Sequence, residues 1–141
     1  MFDRFERPIT YLRISVTDRC NLRCAYCMPA EGVPLLRHED LLSFEEIADV
    51  ARTAAAMGIT KLRLTGGEPL VRRGIVRLVE MLAPIEGIQD LAMTTNGTRL
   101  AQYAHDLAAA GLHRVNISLD AIAPERYAEI TRGGDVREAL A

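Results

Sequence analysis

The sequence predicts an α/β fold: a parallel sheet with helical crossovers, forming a partial TIM-like (βα) barrel truncated after about four βα units. Three observations predict it. Short β-rich runs alternate with helical patterns along the chain. The strand centres fall near residues 14, 63, 93 and 117, and the later intervals match the roughly 30-residue span of a βα unit. The residues least expected of a plain core cluster in the segments that follow the strands. Such alternation implies parallel pairing with right-handed connections.

The elements follow in order. Residues 11–16 (YLRISV) form the first strand. Ser43, with Glu46 three residues on, is a capping box that opens a helix running to about Met57, and Gly58 stops it. Residues 61–65 (KLRLT) are the second strand, followed by a helix over 75–82. Residues 90–95 (DLAMTT) are the third, followed by an amphipathic helix over 100–110 that Gly111 closes. Residues 115–119 (VNISL) are the fourth, and Pro124 opens a short helix to Ile130. Asp135 caps a further helix of less than two turns before Ala141. So short a helix is marginal in water, and a fourth parallel strand leaves an open edge, so a piece of a larger barrel is expected.

The chain has 141 residues, about one domain, with 49% apolar and 26% charged residues, as in soluble globular proteins. A net charge of −2 argues against broad nucleic-acid or membrane-surface binding. No apolar run is long enough to span a bilayer. Residues 1–8 mix charges without an apolar centre, so no secretory leader is expected and the setting predicted is cytoplasmic. Lys61 is the single lysine; arginine suits forked contacts to phosphate or carboxylate, although codon bias is the plainer explanation.

The three cysteines, Cys20, Cys24 and Cys27, lie within eight residues in a C-x3-C-x2-C pattern. An odd, clustered set cannot be an intrachain disulfide framework. Soft thiolates suit iron–sulfur clusters, and three in one loop can ligate three irons of a cubane and leave the fourth open. A zinc site with His38 as fourth ligand is the competing reading, although zinc modules usually space their ligands as two pairs. In parallel α/β folds ligands bind beyond the carboxyl ends of the strands. The Cys loop, Gly66-Gly67-Glu68-Pro69, Thr94-Thr95-Asn96-Gly97, and Asn116, Ser118 and Asp120 all fall there, which predicts one shared site.

The run Cys20-Asn21-Leu22-Arg23-Cys24-Ala25-Tyr26-Cys27, with GGEP after the second strand, resembles the radical S-adenosylmethionine (SAM) superfamily. That resemblance implies a [4Fe–4S] cluster and reductive cleavage of SAM to methionine and a 5′-deoxyadenosyl radical. Residues 7–29, 62–73, 91–97 and 114–121 together resemble the GTP 3′,8-cyclase family, which performs the first step of molybdenum cofactor biosynthesis. There the radical takes hydrogen from C3′ of GTP, and the carbon radical attacks C8 of guanine.

By this resemblance Cys20, Cys24 and Cys27 ligate the cluster, Tyr26, Gly67 and Ser118 contact SAM, and Arg13, Arg63 and Thr94 hold GTP. Arg13 and Arg63 alternate with apolar neighbours, so each faces either solvent or the barrel lumen. Arg72 and Arg73 are open to a phosphate role or a solvated one, and Asn96 and Asp120 to site or turn roles. The family implies a reducing electron donor of flavodoxin or ferredoxin type and a downstream cyclic pyranopterin monophosphate synthase; a homodimer is left open. It also continues into a C-terminal region with a second cluster, which these 141 residues lack. Another radical SAM enzyme, such as a peptide-modifying one, and an inactive cluster- or SAM-binding fragment stand as alternatives.

Overall fold

A computed structural model describes residues 2–141. Four strands, β1 (Tyr11–Ser15), β2 (Lys61–Thr65), β3 (Asp90–Thr95) and β4 (Arg114–Ile117), form one parallel sheet in the order β1-β2-β3-β4. Between them run α1 (Phe44–Ala56), α2 (Ile75–Leu82) and α3 (Leu100–Ala109); α4 (Pro124–Thr131) and α5 (Val136–Leu140) follow β4. The expected α/β segment of a barrel is therefore present, with short 3₁₀ turns at His38–Asp40 and Pro69–Val71 that the pattern did not announce.

Alternation along each strand sorts its side chains onto two faces. Leu62 and Leu64 of β2, with Leu91 and Met93 of β3, are fully buried under the helices. They pack with Ile47 and Ala51 of α1, Leu78 and Leu82 of α2, and Leu107 of α3 in one core. The capping box forms as expected: Ser43 Oγ accepts from the Glu46 N–H at 3.1 Å and the Glu46 carboxylate accepts from the Ser43 N–H at 2.7 Å.

The register sets the other face. Arg13 lies beside Arg63, Arg63 beside Ala92, and Thr94 beside Asn116. β4 ends at Ile117, two residues sooner than its apolar run suggests, because the chain leaves the sheet after the Ser118 N–H donates to the Thr95 carbonyl at 2.8 Å. Leu119 then turns into a second small core of Leu22, Tyr127 and Val136, against which Cys20 and Cys24 pack. Asp135 caps α5 as expected, accepting from the Arg137 N–H at 2.9 Å. No described helix is long and apolar enough to cross a membrane.

Truncating Leu64, which is 0% exposed in the central strand pair, to alanine should cost about 3 kcal/mol in urea unfolding. A loss below about 1 kcal/mol would show that the sheet does not carry the core.

Candidate functional site

The site is built on the backbone just beyond β1 and β2. The Val16 N–H donates to the Thr65 carbonyl at 2.8 Å, Gly67 to Thr17 at 2.7 Å, and Glu68 to Arg19 at 2.8 Å, so the Cys loop and the glycine turn stay paired past the strand ends. No side chain fits between them. A Cβ on Gly67 would stand 2.3 Å from the Arg19 carbonyl oxygen, and one on Gly66, at φ 151°, 2.4 Å from that of Thr17. The close backbone approach that these glycines permit is to the Cys loop itself.

Glu68 locks this junction to β3. It is 1% exposed, and its carboxylate accepts from the Leu70 N–H (3.0 Å), the Thr95 hydroxyl (2.7 Å) and the Asn96 N–H (2.7 Å). Three donors offset the cost of burying a carboxylate. Asn96 continues the chain of contacts. Its Oδ1 accepts from the N–H and hydroxyl of Thr98, and its Nδ2 donates to Asn21 Oδ1 at 2.9 Å and lies 4.0 Å from Cys20 Sγ. Asn96 thus serves both the turn and the site. Sequence reasoning passed over Glu68, although a charge wedged between Gly67 and Pro69 was a visible signal.

Cys20 and Cys24 are half-buried free thiols and Cys27 is exposed. The Cys27 and Met28 N–H groups both donate to the Cys24 carbonyl, at 2.9 and 3.2 Å, which folds the segment into a tight turn. The Arg23 guanidinium donates to the carbonyls of Cys20 and Leu22. Burial pushes the Cys20 thiol up against the opposing Leu22 N–H bond, with smaller upward contributions from Glu68 and Cys27. Burial likewise raises Cys24, helped by Asp120 and the other two thiols. The shifts at Cys20 and Cys24 disfavour their thiolates, the circumstance that a bound cation reverses.

Tyr26 reaches across to β4, donating its hydroxyl to Asp120 at 3.0 Å. The residue as a whole is 69% exposed, yet its phenol pKa is raised, first by burial of the hydroxyl and then by that bond. Ser118 is exposed at the end of β4. Among the described residues no three His, Cys, Asp or Glu side chains converge on a point that one metal ion could occupy. A cubane instead takes one thiolate per iron, and three soft donors spaced along one loop suit it. His38 sits in its own exposed 3₁₀ turn.

The inner face of the sheet carries Arg13, Arg63 and Thr94. Arg13 and Arg63 are direct neighbours in register, like charges that repel unless an anion lies between them. Arg63 is half-buried; its guanidinium sits 5.6 Å from the Tyr11 ring centroid, and its Nε is buried without a hydrogen-bond partner. Arg72 answers neither of its expected roles. It donates to the carbonyls of Val16 and Leu42, both at 2.5 Å, and lies 4.4 Å over the Phe44 ring, so it ties the Cys loop to the start of α1. Arg73 is exposed.

A cysteine-bearing loop after the first strand and a glycine turn after the second, on a parallel sheet, define a class of protein. The Radical SAM superfamily model matches residues 14–141, and the chain belongs to that superfamily. Within it, the chain is 54% identical over 140 residues to the GTP 3′,8-cyclase of Alkaliphilus oremlandii, covering 99% of this chain and 44% of that protein. It is 59% identical over 136 residues to the GTP 3′,8-cyclase of Moorella thermoacetica, covering 96% and 42%. The chain thus spans less than half the length of these curated relatives.

Among solved structures, Streptococcus suis SuiB bound to precursor peptide SuiA matches with a TM-score of 0.71 at 20% identity, over 86% of this chain and 26% of that one. BtrN in complex with AdoMet and 2-DOIA matches at 0.62 and 15%, over 95% and 55%. Both are likenesses of fold.

Glu68→Gln should lower stability by about 2 kcal/mol, because the amide nitrogen is forced against groups that all donate. Urea unfolding of the two proteins decides it; equal midpoints would show that the carboxylate is not the hub.

Proposed function

We propose that this chain is the SAM-cleaving part of a GTP 3′,8-cyclase, the enzyme of the first step of molybdenum cofactor biosynthesis. The observation that carries the reading is the pair Arg13 and Arg63, aligned on the inner face without a carboxylate partner among the described residues and with Arg63 Nε buried and unbonded, on the same sheet whose ends hold the cysteine loop. An adjacent guanidinium pair of this kind suits a polyanion such as a triphosphate. The identity of 54% to 59% with GTP 3′,8-cyclases supports that substrate over the peptide-modifying alternative, whose support is a likeness of fold at 20% identity.

On this reading Cys20, Cys24 and Cys27 hold a [4Fe–4S] cluster, which supplies the electron that splits SAM into methionine and a 5′-deoxyadenosyl radical. The chain's own residues do the placing. Tyr26, Gly67 and Ser118 contact SAM, with the Tyr26 hydroxyl brought by Asp120 toward the Ser118 end of the site. Arg13 and Arg63 grip the triphosphate, while the Thr94 hydroxyl meets the ribose or base. That arrangement sets C3′ of GTP where its hydrogen can be taken and leaves the new carbon radical facing C8 of the same nucleotide. Burial of Cys20 and Cys24 against Leu22 and Tyr127 limits water on one side.

These 141 residues are then the N-terminal portion of a radical SAM core, matching 44% of the length of the Alkaliphilus oremlandii relative. A one-electron donor of flavodoxin or ferredoxin type, a downstream cyclic pyranopterin monophosphate synthase and a cytoplasmic setting go with this reading; a homodimer is compatible with it.

After anaerobic reconstitution the chain should bind iron and sulfide, and Cys24→Ala should reduce 5′-deoxyadenosine release to background. Retained release would overturn the ligand assignment. Arg63→Met should weaken GTP binding roughly tenfold or more while SAM binding holds, measured by calorimetry on the reconstituted protein. Equal losses for both ligands would assign Arg63 to folding instead.

A further inference from the structure

The end of α4 is stereochemically odd. Its C-cap, Arg132, stands at φ 56° and ψ 56°, the left-handed conformation that glycine ordinarily supplies at a helix end. Glycines are at hand, but they come only afterwards, at 133 and 134. A β-carbon in that conformation is crowded, so an arginine there costs stability in its own helix. Such local strain persists where surrounding contacts hold it in place, and it clusters at functional sites.

The contacts that hold it lead to the cysteine loop. Arg132 Nη1 donates to the carbonyl of Arg23 at 3.0 Å and to that of Met28 at 2.7 Å, the two residues that bracket the stretch from Cys24 to Cys27. The same helix end accepts two backbone bonds from this stretch: the Arg23 N–H donates to the Thr131 carbonyl at 3.2 Å and the Ala25 N–H to that of Ile130 at 2.8 Å. Gly134 makes room for the junction, since a Cβ there would stand 2.7 Å from Thr131 Oγ1 and 2.9 Å from Leu22 Cδ2. One guanidinium nitrogen therefore joins both ends of a segment whose last cysteine is exposed and whose internal bonds amount to a single turn.

We infer that Arg132 is a positioning residue for the [4Fe–4S] cluster: it fixes the two ends of the Cys24-to-Cys27 turn so that these two thiolates are presented together. The inference rests on the cluster reading above. It assigns the strain of α4 a purpose, because the left-handed turn is what aims the side chain back over the loop. Partners that orient metal ligands from behind commonly govern how firmly the metal is kept.

Arg132→Gly separates this role from plain folding, since it removes the side chain while easing the backbone. Without cluster, the thermal midpoint of the variant should equal or exceed that of the wild type. Amide hydrogen exchange over residues 24–28 should nevertheless quicken about tenfold. After reconstitution, iron retained against a chelator should fall about tenfold, and Arg132→Lys, which keeps a charged donor, should recover part of it. Unchanged exchange together with unchanged iron retention would overturn the inference, as would a midpoint that drops in step with them. Wild-type protein that takes up no iron would instead sink the cluster reading itself, and the inference with it.

Discussion

The contact on which the site depends is the passage of Gly66 and Gly67 beneath residues 17–19, where backbone meets backbone with no room for a side chain. β1 and β2 are joined by a long insertion that carries the cysteines, and the strands themselves stop at Ser15 and Thr65. Were pairing to stop there too, the insertion would leave the sheet at an undefined angle. The bonds from Gly67 to Thr17 and from Glu68 to Arg19 carry the pairing on to the residue before Cys20. The first thiol therefore starts from a fixed point of the sheet.

From that point the loop is held from three other directions. Asn96, itself held by Glu68, meets Asn21 and approaches Cys20. The end of α4 takes the amides of Arg23 and Ala25, and Arg132 takes the carbonyls of Arg23 and Met28. Tyr26 reaches Asp120 beyond β4. A loop without regular secondary structure is thus tied to the ends of β2, β3 and β4, with its polar backbone groups used for anchorage. The inner face of the sheet differs in kind. Arg114 there is paired with Asp90, whereas Arg13 and Arg63, side by side in register, have no carboxylate partner among the described residues, an arrangement of adjacent like charges that costs stability.

Much of the fold was legible in the chain. The bounds of β2, β3 and α2, the capping box at Ser43 and the cap at Asp135 follow from apolar period and local side-chain chemistry, which act over a few residues. The cysteine spacing, the GGEP run and the arginines at alternate strand positions were visible for the same reason. The end of β4 was not, because Ile117, Ser118 and Leu119 read as one apolar-rich strand until the exit toward Leu22 and Tyr127 is known.

What the sequence by itself determined is the order of elements, the parallel pairing and the gathering of three thiols in one loop, since periodicity and residue chemistry are local properties. Tertiary structure alone decided the use of Glu68, Arg72 and Arg132. Each bonds to backbone groups far away in sequence: Glu68 to Asn96, Arg72 to Val16 and Leu42, Arg132 to Arg23 and Met28. Every residue offers the same carbonyl and amide, so no side-chain pattern marks the partner. Only the folded distance selects it.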